Sequence, residues 1–398
     1  MLPWMSLHVR TDGKVAACCD FEGELGDVRR DDLRSILDGP AMRDLRLRML
    51  QGETVPGCWR CVDRESRGAL SIRQAMNSEL AGHVDAVLTT RPDGHAPDAR
   101  PIYWDIRFSN ICNFRCRSCW HGASSRWFAD AVKLGRQLGD QAIIRADDDI
   151  DRLMGELESF LPAVEEIYFA GGEPLIMEEH FRLLRTLITH GRTDVRLKYS
   201  SNLSELANHG TGILDAWRHF PNVRLFASVD AMGARGELIR KDLDWDRFVA
   251  NLHTVRRHCP HVDRRTLTTV SIFNVLHLAE LQRFLHVEFG LGLEVIRLHM
   301  LQVPRHYSIC VLPAALKDLA RDRLRAHLAW IGEHADDDAA GVAHQRRQIS
   351  AVIEQMDGED SSALLPKFRR ECELLDTVRG ECVSATFPEL APIFAALD

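Results

Sequence analysis

Between residues 112 and 119 the chain reads Cys112-Asn113-Phe114-Arg115-Cys116-Arg117-Ser118-Cys119, three thiols in a C-x3-C-x2-C spacing. Thiolates are soft donors that select iron-sulfur clusters or zinc. Three of them can hold three irons of a cubane, whereas a cluster used only for electron transfer normally has four cysteine ligands, so one iron is left open. The competing reading is a structural zinc knuckle that borrows a fourth ligand such as His121.

About fifty residues further on comes Gly171-Gly172-Glu173-Pro174. Two glycines let a backbone approach a ligand closely, and a carboxylate with nearby carbonyls accepts hydrogen bonds from an ammonium group. These residues need elements to hold them. From Ile102 onward, β-rich runs alternate with longer amphipathic segments: Tyr103 to Phe108, Glu166 to Phe169, Val195 to Tyr199, Val223 to Val229, Thr266 to Ile272 and Val295 to His299. That alternation predicts six parallel βα units, an open partial barrel with ligands at the carboxyl ends of its strands. The three-cysteine loop follows the first strand and the Gly-Gly-Glu-Pro turn follows the second.

Taken together, the loop, the turn and their order resemble the radical S-adenosylmethionine (SAM) superfamily. The resemblance implies that Cys112, Cys116 and Cys119 bind a [4Fe-4S] cluster, and that Gly171, Gly172, Glu173 and Pro174 bind the SAM amino group. It implies further SAM contacts at Asn202, Ser228, Asp230 and Asn274, all at strand ends, with Arg240 as the carboxylate partner. Polar residues at strand ends also cap helices, so each has a structural alternative. One departure is Ser118, where many members carry an aromatic residue against the adenine; Trp120 is the aromatic that could compensate.

Ahead of this segment, Met5 to Cys19 alternates around Asp12-Gly13, a pair that type I′ turns prefer, which predicts two short strands ending at Cys18 and Cys19. Asp31 to Leu50 has helical spacing broken at Gly39-Pro40, and Cys58 and Cys61 follow in a Pro-Gly turn. Gly13 to Cys18 and Cys58-Trp59-Arg60-Cys61 are similar to the SPASM or twitch auxiliary-cluster modules, here placed before the barrel. With Pro3-Trp4 and Leu375-Asp376-Thr377-Val378-Arg379-Gly380, the resemblance to twitch-domain radical SAM proteins spans nearly the whole chain. It implies an auxiliary Fe-S cluster on Cys18, Cys19, Cys58 and Cys61, or on three of them; adjacent cysteines rarely both ligate one metal, which favours Cys18 over Cys19. A zinc site with four thiolates is the alternative.

The fold expected is therefore α/β: a partial (β/α)6 radical SAM barrel over residues 98–310, a small Cys-rich α+β module over 1–97 ending in the linker Thr89 to Pro101, and C-terminal helices over 311–398, interrupted at Asp336-Asp337-Asp338. The four scattered cysteines, Cys259, Cys310, Cys372 and Cys382, are expected as small core residues.

With 45% apolar and 27% charged residues, the chain of 398 residues has a globular composition. Its net charge of −8 gives no broad cationic surface, so nucleic acid is not an expected partner. It has no membrane-length apolar run, and Met1 to Arg10 shows no basic segment followed by an apolar stretch. Eleven cysteines with this clustering suit metal in a reducing compartment, and the reading is cytoplasmic, with a flavodoxin or ferredoxin as reductant.

The resemblance implies an oxidoreductase or maturase that makes a 5′-deoxyadenosyl radical from SAM and acts on a ribosomally made peptide. Small-molecule tailoring is the second reading. A non-enzymatic metal-binding or interaction protein is the third, and the intact triad and turn weigh against it. Candidate substrate contacts are His299, Arg305, His306, Tyr307 and Cys310, expected to face the barrel mouth because they lie on or after the last strand.

Overall fold

The computed structural model describes residues 1–66, 70–208, 210–334 and 338–395. Their internal contacts divide into two compact units. The first holds Met1–Ile111, Ile143–Tyr199 and Ala207–Val223, the second Cys112–Ala142, Ser200–Leu206 and Arg224–Asp398. This division cuts across the segments 1–97, 98–310 and 311–398.

The first unit begins with strands β1 (Ser6–Val9), β2 (Lys14–Ala16) and β3 (Gly26–Asp27). The turn between β1 and β2 differs from the two-residue one expected at Asp12-Gly13. Gly13 is left-handed at φ +80 and Asp12 is not, while Gly13 N–H donates to Arg10 C=O and Arg10 N–H to Lys14 C=O. These bonds define a three-residue loop, Thr11 to Gly13, in which a single glycine absorbs the positive φ that a type I′ turn asks of two residues.

β1 also pairs in parallel with β4 (Tyr103–Ile106), from Ser6↔Tyr103 to Val9↔Ile106, so the N-terminal hairpin extends the sheet of the βα units. Leu7 and Val9 on one face have no exposed surface, and Ser6 and His8 on the other are buried, as befits a strand covered on both faces. β5 (Glu166–Phe169) and β6 (Arg196–Ser201) continue the parallel pairing. Between β1 and β4 run the two expected helices, Leu33–Leu37 and Pro40–Leu50, the first capped by Asp32 accepting from Ser35 N–H. Cys58 ends a 3-10 turn and Cys61 lies in the helix Trp59–Ser66. Thr89 to Pro101 carries no helix or strand.

In the second unit the strands Asp263–Val270 and Ile296–Met300 pair in parallel, and Asp263–Val270 pairs in parallel with Val223–Ser228. The helices Trp245–His258 and Leu278–Val287 connect them. All six expected βα strands are thus present, and the fold class is α/β with a parallel sheet. The C-terminal helices Ala314–His334, Ala339–Gly358 and Leu365–Arg379 close a second core that includes Phe273, Tyr307, Phe368 and Phe387. Of the expected interruption, Asp336 and Asp337 lie outside the described residues, and Asp338 caps the helix Ala339–Gly358 through Gly341 N–H. Among the described residues no helix is long and apolar enough to cross a membrane.

Candidate functional site

The three-cysteine loop is fixed by backbone pairing on both sides of Cys116. Arg115 N–H donates to Lys241 C=O at 2.9 Å and Arg117 N–H to Ile239 C=O at 2.7 Å, two bonds that straddle Arg240. Cys119 N–H donates to Cys116 C=O, which also accepts from Trp127 Nε1 at 2.8 Å. Burial pushes the Cys119 thiol up to about 12, with the charge of Cys116 adding to it and Arg240 and Arg379 opposing. Burial raises Cys116 as well, against the same two arginines. Desolvated thiols facing one another gain most from a polycationic partner, because thiolate formation is then coupled to metal binding.

His121 is not available as a fourth ligand. Its Nε2 bonds Ala142 C=O at 3.2 Å and its Nδ1 accepts from Leu138 N–H at 3.2 Å, so both ring nitrogens hold backbone. This removes the zinc knuckle built on that residue. Among the described residues no three His, Cys, Asp or Glu side chains converge as the ligands of one metal ion. A cubane makes a different demand, since its cysteines ligate separate irons.

The neighbouring polar residues split by how they are used. Asp230 and Arg240 form an ion pair at 2.8 Å, with side chains 3% and 12% exposed. Asp230 Oδ1 also accepts Thr269 N–H, and the Arg240 guanidinium lies close enough to Cys112 and Cys116 for their charges to act on it. Asn202 Nδ2 donates to Asn113 Oδ1 at 2.9 Å, and Asn113 Nδ2 to Ser204 Oγ at 2.8 Å, which ties the strand-end segment to the loop. Asn274 is wholly buried and clamps backbone: its amide donates to Asp230 and Thr269 carbonyls and its oxygen accepts from Ser271 N–H. Ser228, half-buried, ends its strand opposite Leu267. Trp120 stays 57% exposed, its ring lying where a Cβ on Gly122 would be.

In the first unit, Gly171 and Gly172 are both left-handed, at φ +80 and +56. A Cβ on Gly171 would meet the Arg107 side chain at 2.8 Å, and one on Gly172 the Ile111 carbonyl oxygen at 2.3 Å. Glu173 N–H donates to that same Ile111 carbonyl, its carboxylate caps the turn through Leu175 N–H, and Pro174 is buried.

The N-terminal thiols differ in the charges around them. Burial raises the Cys18 thiol to about 12, with the charges of Asp20, Cys61 and Cys58 adding to it; Cys58 is raised by burial and by Cys61, and Arg73 opposes. Cys18, Cys58 and Cys61 are therefore near enough for their charges to act on one another, with Arg73 beside Cys58. Cys19, pushed up by its own burial, faces the charges of Asp105, Cys18 and Arg107. Asp105, 2% exposed, lies 3.0 Å from His8 Nδ1 and takes Arg107 Nε and Nη2 at 3.2 and 3.3 Å. Burial works against its charge, yet Arg107 and His8 hold the carboxyl down at about 2. Sequence reasoning missed this trio. The available signal was a charge at the centre of an apolar strand, in register with His8 of another.

The residues after the last strand do not face a mouth as expected. Tyr307 packs against Phe273 and Phe368 at 2% exposure, and Cys310 donates its thiol to Gln355 C=O at 4%. His306 is buried beside Tyr307, Arg305 is exposed and pairs with Glu359 at 2.6 Å, and His299 is exposed in the strand Ile296–Met300. The 3-10 turns Arg305–Tyr307 and Ile309–Val311 reverse the chain into the helical core, which spacing along the strand did not anticipate. Cys259 and Cys372 are core residues, whereas Cys382 is exposed beside Ser384 and ahead of a short helix.

Residues 106–285 match the model of the Radical SAM superfamily, and residues 1–62 that of SPASM, an iron-sulfur cluster-binding domain. No curated protein matches the chain. Among solved structures it is similar to native anSMEcpe with bound AdoMet, at 15% identity and TM-score 0.42, covering 60% of this chain and 62% of that one. The chain thus spans about three fifths of that relative's length. It is also similar to Streptococcus suis SuiB bound to the precursor peptide SuiA, at 13% identity and TM-score 0.42, covering 84% and 70%. A thiol trio whose loop is locked around an arginine, and a left-handed diglycine bend, agree with the two family matches: the chain belongs to the radical SAM superfamily, with a SPASM-type iron-sulfur module, and its cofactors are [4Fe-4S] clusters and SAM.

Proposed function

We propose that this chain is an oxidoreductase or maturase that abstracts hydrogen from a carbon of a ribosomally made peptide and oxidises the resulting radical to a crosslink or an unsaturated bond. A [4Fe-4S] cluster held by Cys112, Cys116 and Cys119 would supply the single electron that reductive cleavage of SAM needs. The protein's own residues do the rest. Cys112, Cys116 and Cys119 hold three irons, the bend at Gly171-Gly172 takes the SAM ammonium, and Arg240, charge-balanced by Asp230, takes its carboxylate. Asn202 and Ser228 line the strand ends, and Asn274 positions Asp230 from behind.

The observation that carries the oxidative reading is the second trio, Cys18, Cys58 and Cys61, with Arg73 alongside. An auxiliary cluster there gives the substrate radical an electron acceptor, while the proton leaves to solvent. β1, β4, β5 and β6 place His8, Asp105, Tyr168 and Lys198 in one cross-strand row. We read the setting as cytoplasmic, with flavodoxin or ferredoxin as reductant, and residues 1–97, 98–310 and 311–398 as auxiliary-cluster, barrel and helical segments.

The test is to reconstitute the protein anaerobically, supply SAM and dithionite, and offer deuterated peptides encoded beside its gene. Deuterium appearing in 5′-deoxyadenosine supports the reading. Cleavage of SAM with label transfer only from a small-molecule alcohol or sugar overturns the peptide assignment.

A further inference from the structure

The motif Leu375-Asp376-Thr377-Val378-Arg379-Gly380 lies more than 250 residues beyond the cluster loop, yet in the second unit four of its six residues bear on that loop or shape the helix end that does. Leu375 packs with Trp127 and Cys119 in one apolar cluster. Asp376 pairs with Arg117, the residue after Cys116, and accepts Val383 N–H at 2.8 Å. Gly380, left-handed at φ +66, stops the helix and lets Glu381 turn back to Arg117 at 2.8 Å and Lys241 at 3.0 Å. Arg379 reaches furthest. Its side chain is fully buried, its Nε donates to the buried Asp130 at 2.9 Å, and its guanidinium lies 4.9 Å from the centroid of the Trp127 ring, whose Nε1 holds the Cys116 carbonyl.

Both terminal nitrogens of Arg379 are buried with no hydrogen-bond partner, and so are Nε and Nη1 of Arg117. Leaving buried guanidinium nitrogens unsatisfied is costly, and a native chain keeps such groups only where something takes their protons. The sulfurs of a cluster on Cys116 and Cys119 are acceptors, and a cluster becomes more negative when reduced. A fixed cation stabilises the reduced form, and net charge and hydrogen bonds to sulfur are the terms by which a protein sets a cluster's potential.

We propose that Arg379, delivered by the helix Leu365–Arg379 and anchored on Asp130 and Trp127, raises the reduction potential of the loop cluster, so that the C-terminal motif is part of the SAM-cleaving centre. Arg379 would act through its charge and its free N–H groups on the cluster rather than on substrate. Arg117, held between Asp376 and Glu381, has its own charge largely neutralised, whereas Arg379 shares the single carboxylate of Asp130 with Arg115, which has Asp242 as a second partner. The two cations and two carboxylates balance in number, so what Arg379 adds beside the thiols is a guanidinium with half a carboxylate's share and two unsatisfied terminal nitrogens.

The test is the midpoint potential of the loop cluster in the full-length chain carrying Cys18→Ala and Cys58→Ala, followed by electron paramagnetic resonance during a redox titration without SAM or substrate. Arg379→Met should raise the ratio of oxidised to reduced cluster at a fixed poise at least tenfold, a fall of 59 mV for one electron. Arg379→Lys should shift it far less. Asp130→Asn, which removes the counter-charge, should move the potential the opposite way, a sign that loss of local structure does not produce. Should Arg379→Met fail to hold iron, Asp130→Asn decides alone: an upward shift supports the proposal, and no shift or a fall overturns it. Equal potentials in Arg379→Met and the parent overturn it while leaving the superfamily assignment intact; a parent without any cubane overturns both.

Discussion

Glu173 donates its backbone N–H to the carbonyl of Ile111 at 2.8 Å, so the diglycine bend hangs from the residue that precedes Cys112 in the chain. Gly172 makes that approach possible. Gly172→Ala puts a Cβ 2.3 Å from the same oxygen at φ +56, adding backbone strain of about 1–3 kcal/mol to a direct clash. SAM affinity of the reconstituted protein, measured by equilibrium dialysis, should fall at least about tenfold, the equivalent of 1.4 kcal/mol. Gly155→Ala is the control: in the helix Ile150–Glu158 its Cβ meets nothing, and affinity should stay unchanged.

Cys18 and Cys19 are neighbours that both feel Asp20, but Cys58 and Cys61 act on Cys18 and Asp105 and Arg107 on Cys19, and iron content should separate them. With the barrel triad replaced by alanine, the N-terminal site should hold about four irons per chain if it is a cubane. Cys18→Ala or Cys58→Ala should lose that iron and Cys19→Ala should keep it. Equal losses from Cys18→Ala and Cys19→Ala would contradict the separation, and zinc in place of iron would reject an auxiliary cluster.

His121→Ala removes the partners of Leu138 N–H and Ala142 C=O without touching a ligand. Stability should drop by about 1–3 kcal/mol, the cost of buried polar groups left unsatisfied, as read from denaturant melts. Iron in the loop should be retained. Loss of the metal with the fold intact would restore His121 as a ligand.

The elements that could be read from sequence were those whose signal is local. Glu166–Phe169 forms the strand its β-rich run predicts, and Gly39-Pro40 divides two helices because Gly39 N-caps the second and Pro40 opens its first turn, just after Asp38 caps the first. The thiols and the diglycine turn declared themselves by spacing. What stayed hidden depends on partners distant in sequence. Arg379 and Asp130 are 249 residues apart, and His8 meets Asp105 only because β1 joins β4 in parallel, a pairing that no turn encodes. Tyr307 and Cys310 were placed by counting along a strand, and the 3-10 turns after it redirected both into the helical core. Spacing could not show that the His121 ring was already committed to two backbone groups.

The most direct test of the central assignment is the electron paramagnetic resonance spectrum of dithionite-reduced, anaerobically reconstituted protein before and after addition of SAM, paired with a count of 5′-deoxyadenosine formed. The expected result is a reduced cubane signal that changes on SAM addition, with nucleoside produced by the parent and none by Cys116→Ala. A spectrum indifferent to SAM, or a Cys116→Ala variant that cleaves SAM as well as the parent, would contradict it.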